Sequence, residues 1–331
     1  MSALSGFENL TPDLIIGSVE KELDRPMTGL TSPLPSYINR VYELESRAGD
    51  RFVAKFYRPG RWSNEALEDE HRFVRDCAAH EIPVISPLVL LNGSTLGQAE
   101  NIRFAVYPKR WGREIEITGD EDYKRLGQLI GRVHVAGSER PAPSRVVLHP
   151  SRSMEDDVKE LVDGGFVSPA YRSTFDHVCS EILGISEPLF KNVETIRLHG
   201  DCHGKNFLHR PGEGVMIIDF DDMVTGPPVQ DLWLLLPDHA GKSRREINLL
   251  IEGYEQFREF DDTTLRLIEP LRAMRLIYFL AWCSKQKEDY KFQTLFPNWG
   301  NDNFWANEIR DLEQQLGIIK QDLLRYSSGN I

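Results

Sequence analysis

The sequence predicts an α+β chain of two lobes: a small β-rich N-terminal lobe with one main helix, residues 1–108, and a larger, mainly helical C-terminal lobe, residues 109–331. Three observations predict it. Strand-like runs separated by turn signals fill most of the first third. Apolar residues at helical spacing dominate from about residue 120 onward. Short strand-like pieces around 196–220 interrupt that helical part and carry two acidic clusters on their loops. At 331 residues and 40% hydrophobic content, the chain is long and apolar enough for two lobes with a real core.

Thr11-Pro12-Asp13 marks the entry of a short helix over 11–24, a cap residue followed by proline in the first turn. Thr28 to Pro35 reads as a turn-rich piece. Asn39–Glu45 and Arg51–Tyr57, split by Ala48-Gly49-Asp50, read as a β-hairpin. Ser63 caps an expected helix over 63–80, with Glu65 and Glu68 in its early turns. Val84 to Leu91 and Ile102 to Tyr107 are expected as two further strands. Tyr123, Leu126, Ile130, Val133 and His134 share one face of a helix over 120–136, and the Pro- and Ser-rich 138–150 is a loop.

Thirty-nine basic against 51 acidic residues give a net charge of −12, which argues against non-specific nucleic-acid binding. An anionic ligand must be met by local cations or a metal ion. Cys77, Cys179, Cys202 and Cys283 form no disulfide framework and are expected as thiols. Met1 to Thr11 lacks a basic segment followed by an apolar run, so no secretion signal is expected. The most apolar stretch, Met274 to Cys283, is too short to span a bilayer and contains Arg275. The expected setting is cytoplasmic, with no nucleic-acid or membrane partner, and the expected state is a monomer.

The chemistry concentrates in Leu198-His199-Gly200-Asp201-Cys202-His203-Gly204-Lys205-Asn206 and in Val215-Met216-Ile217-Ile218-Asp219-Phe220-Asp221-Asp222. His199, Asp201 and Asn206 follow the pattern H-x-D-x-x-x-x-N, in which the Asp orients a substrate hydroxyl and accepts its proton while the Asn carbonyl binds Mg²⁺. Asp219 follows an apolar strand, where a carboxylate can hold the Mg²⁺ that bridges nucleotide phosphates; Asp221 is a candidate second ligand and Asp222 is equally a turn residue. Lys55, inside the alternating run Phe52–Phe56, can meet the α/β-phosphates. Glu70 is its candidate carboxylate partner and Glu68 the competitor; an exposed helix face is the alternative for Glu70, and a solvent-facing strand position for Lys55. Leu34 to Arg40 takes the place of a phosphate-covering loop without glycines, leaving Ser36 and backbone amides to serve. Asp231 is expected to cap a helix or brace the catalytic loop, and His134 to be a core histidine. His199, Cys202, His203 and His209 match no common zinc spacing.

These motifs resemble the aminoglycoside phosphotransferase and choline kinase branch of the protein-kinase-like fold. Within it the chain is similar to the bacterial stress response kinases, which are Ser/Thr protein kinases. The resemblance rests on Pro35-Ser36-Tyr37-Ile38-Asn39-Arg40-Val41-Tyr42, on Phe52-Val53-Ala54-Lys55-Phe56-Tyr57-Arg58-Pro59-Gly60-Arg61-Trp62, on Leu198–His203 and on Ile268-Glu269-Pro270-Leu271-Arg272-Ala273-Met274-Arg275-Leu276. It implies ATP in a cleft, Asp201 as base, Asn206 and Asp219 as Mg²⁺ ligands with Asp219 counted among the catalytic residues, and Ser36 and Lys55 near the nucleotide. It places Phe104-Ala105-Val106-Tyr107-Pro108 at the hinge, with Tyr107 near the adenine. The implied activity is Mg²⁺-ATP-dependent phosphorylation of Ser or Thr in protein substrates. The alternative is phosphorylation of a hydroxyl on an amino alcohol, amino acid, sugar or aminoglycoside. A catalytically silent scaffold would require loss of Lys55, Asp201, Asn206 or Asp219, and all four are present. The chain departs from typical protein kinases in placing Asp221 after Phe220 where glycine is usual, and in leaving no room for an activation loop of usual length.

Overall fold

Thr11 opens the first helix by accepting a hydrogen bond from Leu14 N through its hydroxyl, and Pro12 starts the helix at a position needing no N–H donor. The computed structural model describes residues 6–327, without the side chains of Tyr290, Lys291 and Ser327. Helix α1 (Pro12–Leu23) is followed by β1 (Met27–Leu34), β2 (Arg40–Ser46) and β3 (Arg51–Phe56). Then come α2 (Asn64–Ala79), β4 (Gly97–Ala99), β5 (Ile102–Pro108), β6 (Arg113–Glu114) and α3 (Asp120–Ser138). The remainder runs α4 (Glu155–Asp163), α5 (Arg172–Ser186), β7 (Ile196–Leu198), β8 (Phe207–Arg210), β9 (Gly214–Ile217), β10 (Val224–Gly226), α6 (Gln230–Trp233), α7 (Arg244–Tyr254), α8 (Ile268–Gln286), α9 (Tyr290–Leu295) and α10 (Asp302–Ser327).

The chain divides into two compact units. One contains the segment through Ile117 together with Val135–Arg145 and His203–Met223; the other contains Thr118–His134, Val146–Cys202 and the chain from Val224. In the first, five strands form an antiparallel sheet in the order β1-β2-β3-β5-β4. Phe52, Ala54 and Phe56 of β3 enter a core with Phe104, Val106, Ile15 and Val19, and the rings of Phe56 and Phe104 stack at 5.1 Å. A smaller cluster of Tyr57, Leu67 of α2, Leu96 and Ala105 forms beside it. Ser63 caps α2 as expected, its hydroxyl accepting from Ala66 N at 3.2 Å.

Two expectations are corrected here. Thr28 to Pro35 is not a turn: all of it but Pro35 belongs to strand β1, whose register slips between Met27 and Thr31, around Gly29. Val84 to Leu91 is not a strand: it is extended chain whose Leu88 N donates to Val106 O and whose Leu90 N donates to Ser94 O. A short apolar run without alternation does not distinguish the two.

The second unit is mainly helical, with α10 packed on α5 and α8, and α4 on α8. Helices α3 and α7 approach so closely that a Cβ at Gly127 would lie 2.0 Å from Leu250 O, and one at Gly253 2.0 Å from Lys124 O. Strands β7 and β10 pair antiparallel, Leu198 opposite Val224. All four cysteines are free and buried. Among the described residues, no helix is long and apolar enough to cross a membrane.

Candidate active site

Lys55 lies on β3, opposite Val41 of β2 and Ala105 of β5, so the centre of the sheet fixes its backbone. Its side chain sits on the face opposite Phe52, Ala54 and Phe56 and is buried, which removes the solvent-facing alternative. Nζ meets Asp219 Oδ1 at 3.0 Å and Asp221 Oδ1 at 3.2 Å, and lies 5.3 Å from the Tyr57 ring centre. Burial alone would lower the ammonium's pKa. The Asp219, Asp221 and Glu70 carboxylates overcome it and hold the pKa well above the ordinary lysine value.

The carboxylate expected to hold Lys55 is placed differently. Glu70 on α2 is only 1% exposed, so it does not belong to a solvated helix face, whereas Glu68 is exposed. Glu70 Oε2 pairs with Arg145 at 3.6 Å, and Lys55 takes its ion pairs from the 219–221 segment instead. Burial pushes the Glu70 carboxyl up to about 7 against the pull of Lys55, while nearby Asp221 adds to the rise and Arg145 opposes it. Asp221 moves the other way. Burial would raise its pKa, but Lys55, Arg61 and Arg145 hold it well below the usual carboxylate range.

Asp219 and Asn206 are brought together by a hairpin. Phe207 of β8 pairs with Ile217 of β9, so Asn206 just before β8 and Asp219 just after β9 lie at the same end of it, and Ile218 N donates to Asn206 O at 3.0 Å. Asp219 adopts the left-handed conformation, φ +63°, a region where Asp is enriched. Its side chain is 55% exposed despite the Lys55 contact. An amide and a carboxylate are the hard oxygen donors Mg²⁺ takes from a protein when phosphates and water complete its shell. Among the described residues no three His, Cys, Asp or Glu side chains form a cluster able to hold a metal by themselves.

Ser36 lies half-buried in the turn between β1 and β2, so the segment expected to cover phosphates joins two strands rather than preceding the first. Tyr107 lies near the end of β5 opposite Val53, and its hydroxyl shares a hydrogen bond with Tyr57 at 3.1 Å and reaches His71 Nε2 at 3.4 Å. Burial raises the pKa of both tyrosines and lowers that of His71 to about 3, so this histidine is neutral.

The run Phe56-Tyr57-Arg58-Pro59-Gly60-Arg61-Trp62 finds its explanation here. Tyr57 hydrogen-bonds His71 Nε2 at 2.7 Å. Arg61 forks onto Asp221 and onto Asp222 Oδ1, the second contact at 2.5 Å. The guanidinium groups of Arg145 and Arg61 lie 4.1 and 5.4 Å from the Trp62 ring. Arg145 also donates to the carbonyls of Phe220 and Asp221, at 3.3 and 2.7 Å. Asp221 is thus an ion-pair partner of two cations, and its Oδ2 also accepts a hydrogen bond from Asn39 Nδ2 at 3.3 Å.

In the second unit Asp201 follows β7. Gly200, at φ +84°, makes the turn that only glycine adopts readily. Asp231 Oδ2 accepts from His199 N and Oδ1 from Gly200 N, both at 2.8 Å, so Asp231 braces the His-Gly-Asp loop. His134 is fully buried, joined to Asp231 Oδ2 and to the Tyr254 hydroxyl at 3.0 Å each. Burial would raise the Asp231 pKa, but hydrogen bonds from His134 and the loop amides leave it lowered. Asp201 Oδ1 accepts from Arg275 Nη2 at 2.7 Å, and its N–H reaches His199 Nδ1 at 3.3 Å. Sequence reasoning had not assigned roles to Arg61, Arg145 or Arg275. Arg61 and Arg275 at least lay within the runs that carried the resemblance, while Arg145 stood in a loop with no local signal.

This fold, with a paired strand lysine, a braced His-Gly-Asp loop and a carboxylate after a short hairpin, is that of a phosphotransferase: the chain belongs to the phosphotransferase enzyme family (APH), whose profile matches residues 31–268. Its curated relatives narrow the placement to the stress response kinases. The chain is 34% identical over 322 residues, 97% of its own length and 97% of theirs, to stress response kinase A of Salmonella paratyphi A and of Escherichia coli K12, and equally to the serine/threonine protein kinase RdoA of Salmonella typhimurium. Among solved structures, the amicoumacin kinase hAmiN, in complex with AMP-PNP, Ca²⁺ and Ami, matches with a TM-score of 0.72 at 17% identity, covering 92% of this chain and 93% of that one. A microcompartment-associated aminopropanol kinase matches at 0.66 and 16% identity, covering 96% and 98%. At such identities these two speak for the fold.

Proposed function

We propose that the chain is a Mg²⁺-ATP-dependent serine/threonine protein kinase with Asp201 as its base. The observation that carries phosphotransfer is the 3.0 Å pair between Lys55 and Asp219, formed at the hairpin end that also carries Asn206. In this reading Lys55 meets nucleotide phosphate oxygens, Ser36 covers them, Glu70 stands behind Lys55 in its electrostatic surroundings, and the Tyr107 backbone meets the adenine. Asn206 and Asp219 hold the metal ion, which when bound bridges phosphates and neutralises developing charge. Asp201 orients the acceptor hydroxyl and takes its proton. The nucleotide-binding lobe is residues 1–108, and the catalytic and substrate lobe is 109–331.

Nucleotide use is supported by the AMP-PNP in the structure of the amicoumacin kinase. A protein acceptor is supported by relatives that share twice the sequence identity of the structural neighbours over nearly the whole chain, one of them named a serine/threonine protein kinase. The names of the neighbours favour the second reading, a small hydroxyl-bearing acceptor. The enzyme is read as a cytoplasmic monomer acting on proteins, without nucleic-acid or membrane partners.

Purified protein with Mg²⁺ and terminally labelled ATP, offered a generic basic protein or a panel of small alcohols, separates the two. Labelled phosphoserine or phosphothreonine is expected, and label confined to a small alcohol would overturn the protein reading. Asp201→Asn is expected to abolish transfer while nucleotide still binds.

A further inference from the structure

The run Glu-Pro-Leu-Arg-Ala-Met-Arg at 269–275 has contacts that point to a task of its own. It opens α8, and its three charged residues fall three apart, on neighbouring turns of one side of the helix. The Glu269 carboxylate, 1% exposed, accepts from Ala240 N at 2.7 Å, Gln315 Nε2 at 2.8 Å and Arg272 Nε at 3.2 Å. That set fixes the start of the helix. The Arg272 guanidinium then lies 4.8 Å from the ring centre of Trp233, on the short helix that carries Asp231. Arg275, one turn further, donates to Asp201 Oδ1 at 2.7 Å and lies 5.5 Å from the Tyr278 ring.

The catalytic loop is therefore held by two independent grips. Asp231 takes its backbone amides, and α8 takes its carboxylate. The loop supplies no cation between His199 and Asp201, because Gly200 stands there. We propose that Arg275 is a positioning residue that fixes the Asp201 carboxylate in its working rotamer before the acceptor arrives, with Glu269 and Arg272 anchoring the helix that presents it. The inference rests on the reading of Asp201 as the base. A planar guanidinium on a rigid helix orients a carboxylate better than a lysine ammonium, which acts as a point charge. An aspartate left to rotate loses the alignment on which proton acceptance depends, and small misplacements of this kind cost on the order of 10²-fold in rate.

The test is steady-state kinetics on the full chain for wild type, Arg275→Lys, Arg275→Gln and Arg275→Ala, with melting temperature and nucleotide affinity measured on each. Arg275→Ala is expected to lower kcat by about 10²-fold while KM for ATP and for the acceptor stays within about threefold. Arg275→Lys should recover part of the rate and Arg275→Gln less. A raised acceptor KM with unchanged kcat would overturn the proposal, since Arg275 would then bind substrate directly. Equal rates for the Lys and Gln variants would overturn it too, and that pair carries the test if the Ala variant does not fold. Asp201→Asn run alongside separates the two levels. If that variant stays active, the base assignment itself fails; if it is dead while Arg275→Ala has normal kcat, only the positioning role fails.

Discussion

Lys55 and Asp201 each hold an opposite charge at about hydrogen-bond distance, 3.0 and 2.7 Å, but their surroundings are built on opposite plans. Around Lys55 four carboxylates, Glu70, Asp219, Asp221 and Asp222, meet three cations, Lys55, Arg61 and Arg145. The one at the hairpin end, Asp219, is more than half exposed and sits on left-handed backbone. Behind Asp201 the bracing pair Asp231 and His134 is wholly buried, and the Asp231 carboxylate is met by His134 and by the amides of His199 and Gly200. A set of ion pairs whose outermost carboxylate is accessible is suited to take in a cation and phosphates and to re-pair on doing so. A buried, satisfied set is suited to stay put.

The largest expected effect tests the second plan. Asp231→Ala leaves His134 and the amides of His199 and Gly200 without their acceptor, and breaking such a buried pair costs about 3–5 kcal/mol. Urea unfolding should show a loss of that order; a loss under about 1 kcal/mol would mean the brace is dispensable. Lys55→Met tests the first plan. Transfer is expected to fall roughly 10²–10³-fold, as when one preorganised charge donor is removed. Stability should change little by comparison, because Asp221 keeps Arg61, and an unfolding loss matching that of Asp231→Ala would erase the contrast.

The smallest effect is a pH slope. Folded Glu70 keeps its proton up to about 7, whereas its ordinary value is 4.5. Its contribution to stability is therefore full below about 4.5 and is lost as pH rises toward 7, since the folded state binds the extra proton in that window. Glu70→Gln should flatten this part of the stability–pH curve. Unfolding free energies measured across the window check it, and an unchanged slope would assign the decline to other groups.

What could be read in advance followed local rules. Ser63 as a cap, the hairpin β2–β3, the Lys55 strand and the His-Gly-Asp loop all announce themselves within a few residues. The misses involve distance or ambiguity. Lys55 pairs with residues 164 and 166 positions away rather than with Glu70 on the following helix, because Arg145, from a loop without any motif, occupies Glu70. Arg275 meets Asp201 across 74 positions. Nothing in spacing predicts such pairs; only tertiary packing within each unit does. Strand β1 was hidden by Gly29, Pro33 and Pro35, residues that punctuate turns but are tolerated at a sheet edge, where β1 lies.

Trp62 carries a consequence of a different kind. Its indole lies beneath two guanidinium groups, and both of these also hold the segment from Phe220 to Asp222. Indole emission responds to nearby charge, so this ring is placed to report optically on the carboxylates that, in the proposed function, a bound nucleotide would re-pair. In a variant keeping Trp62 as its single tryptophan, light rather than radioactivity would follow the occupancy of the Lys55 site in real time.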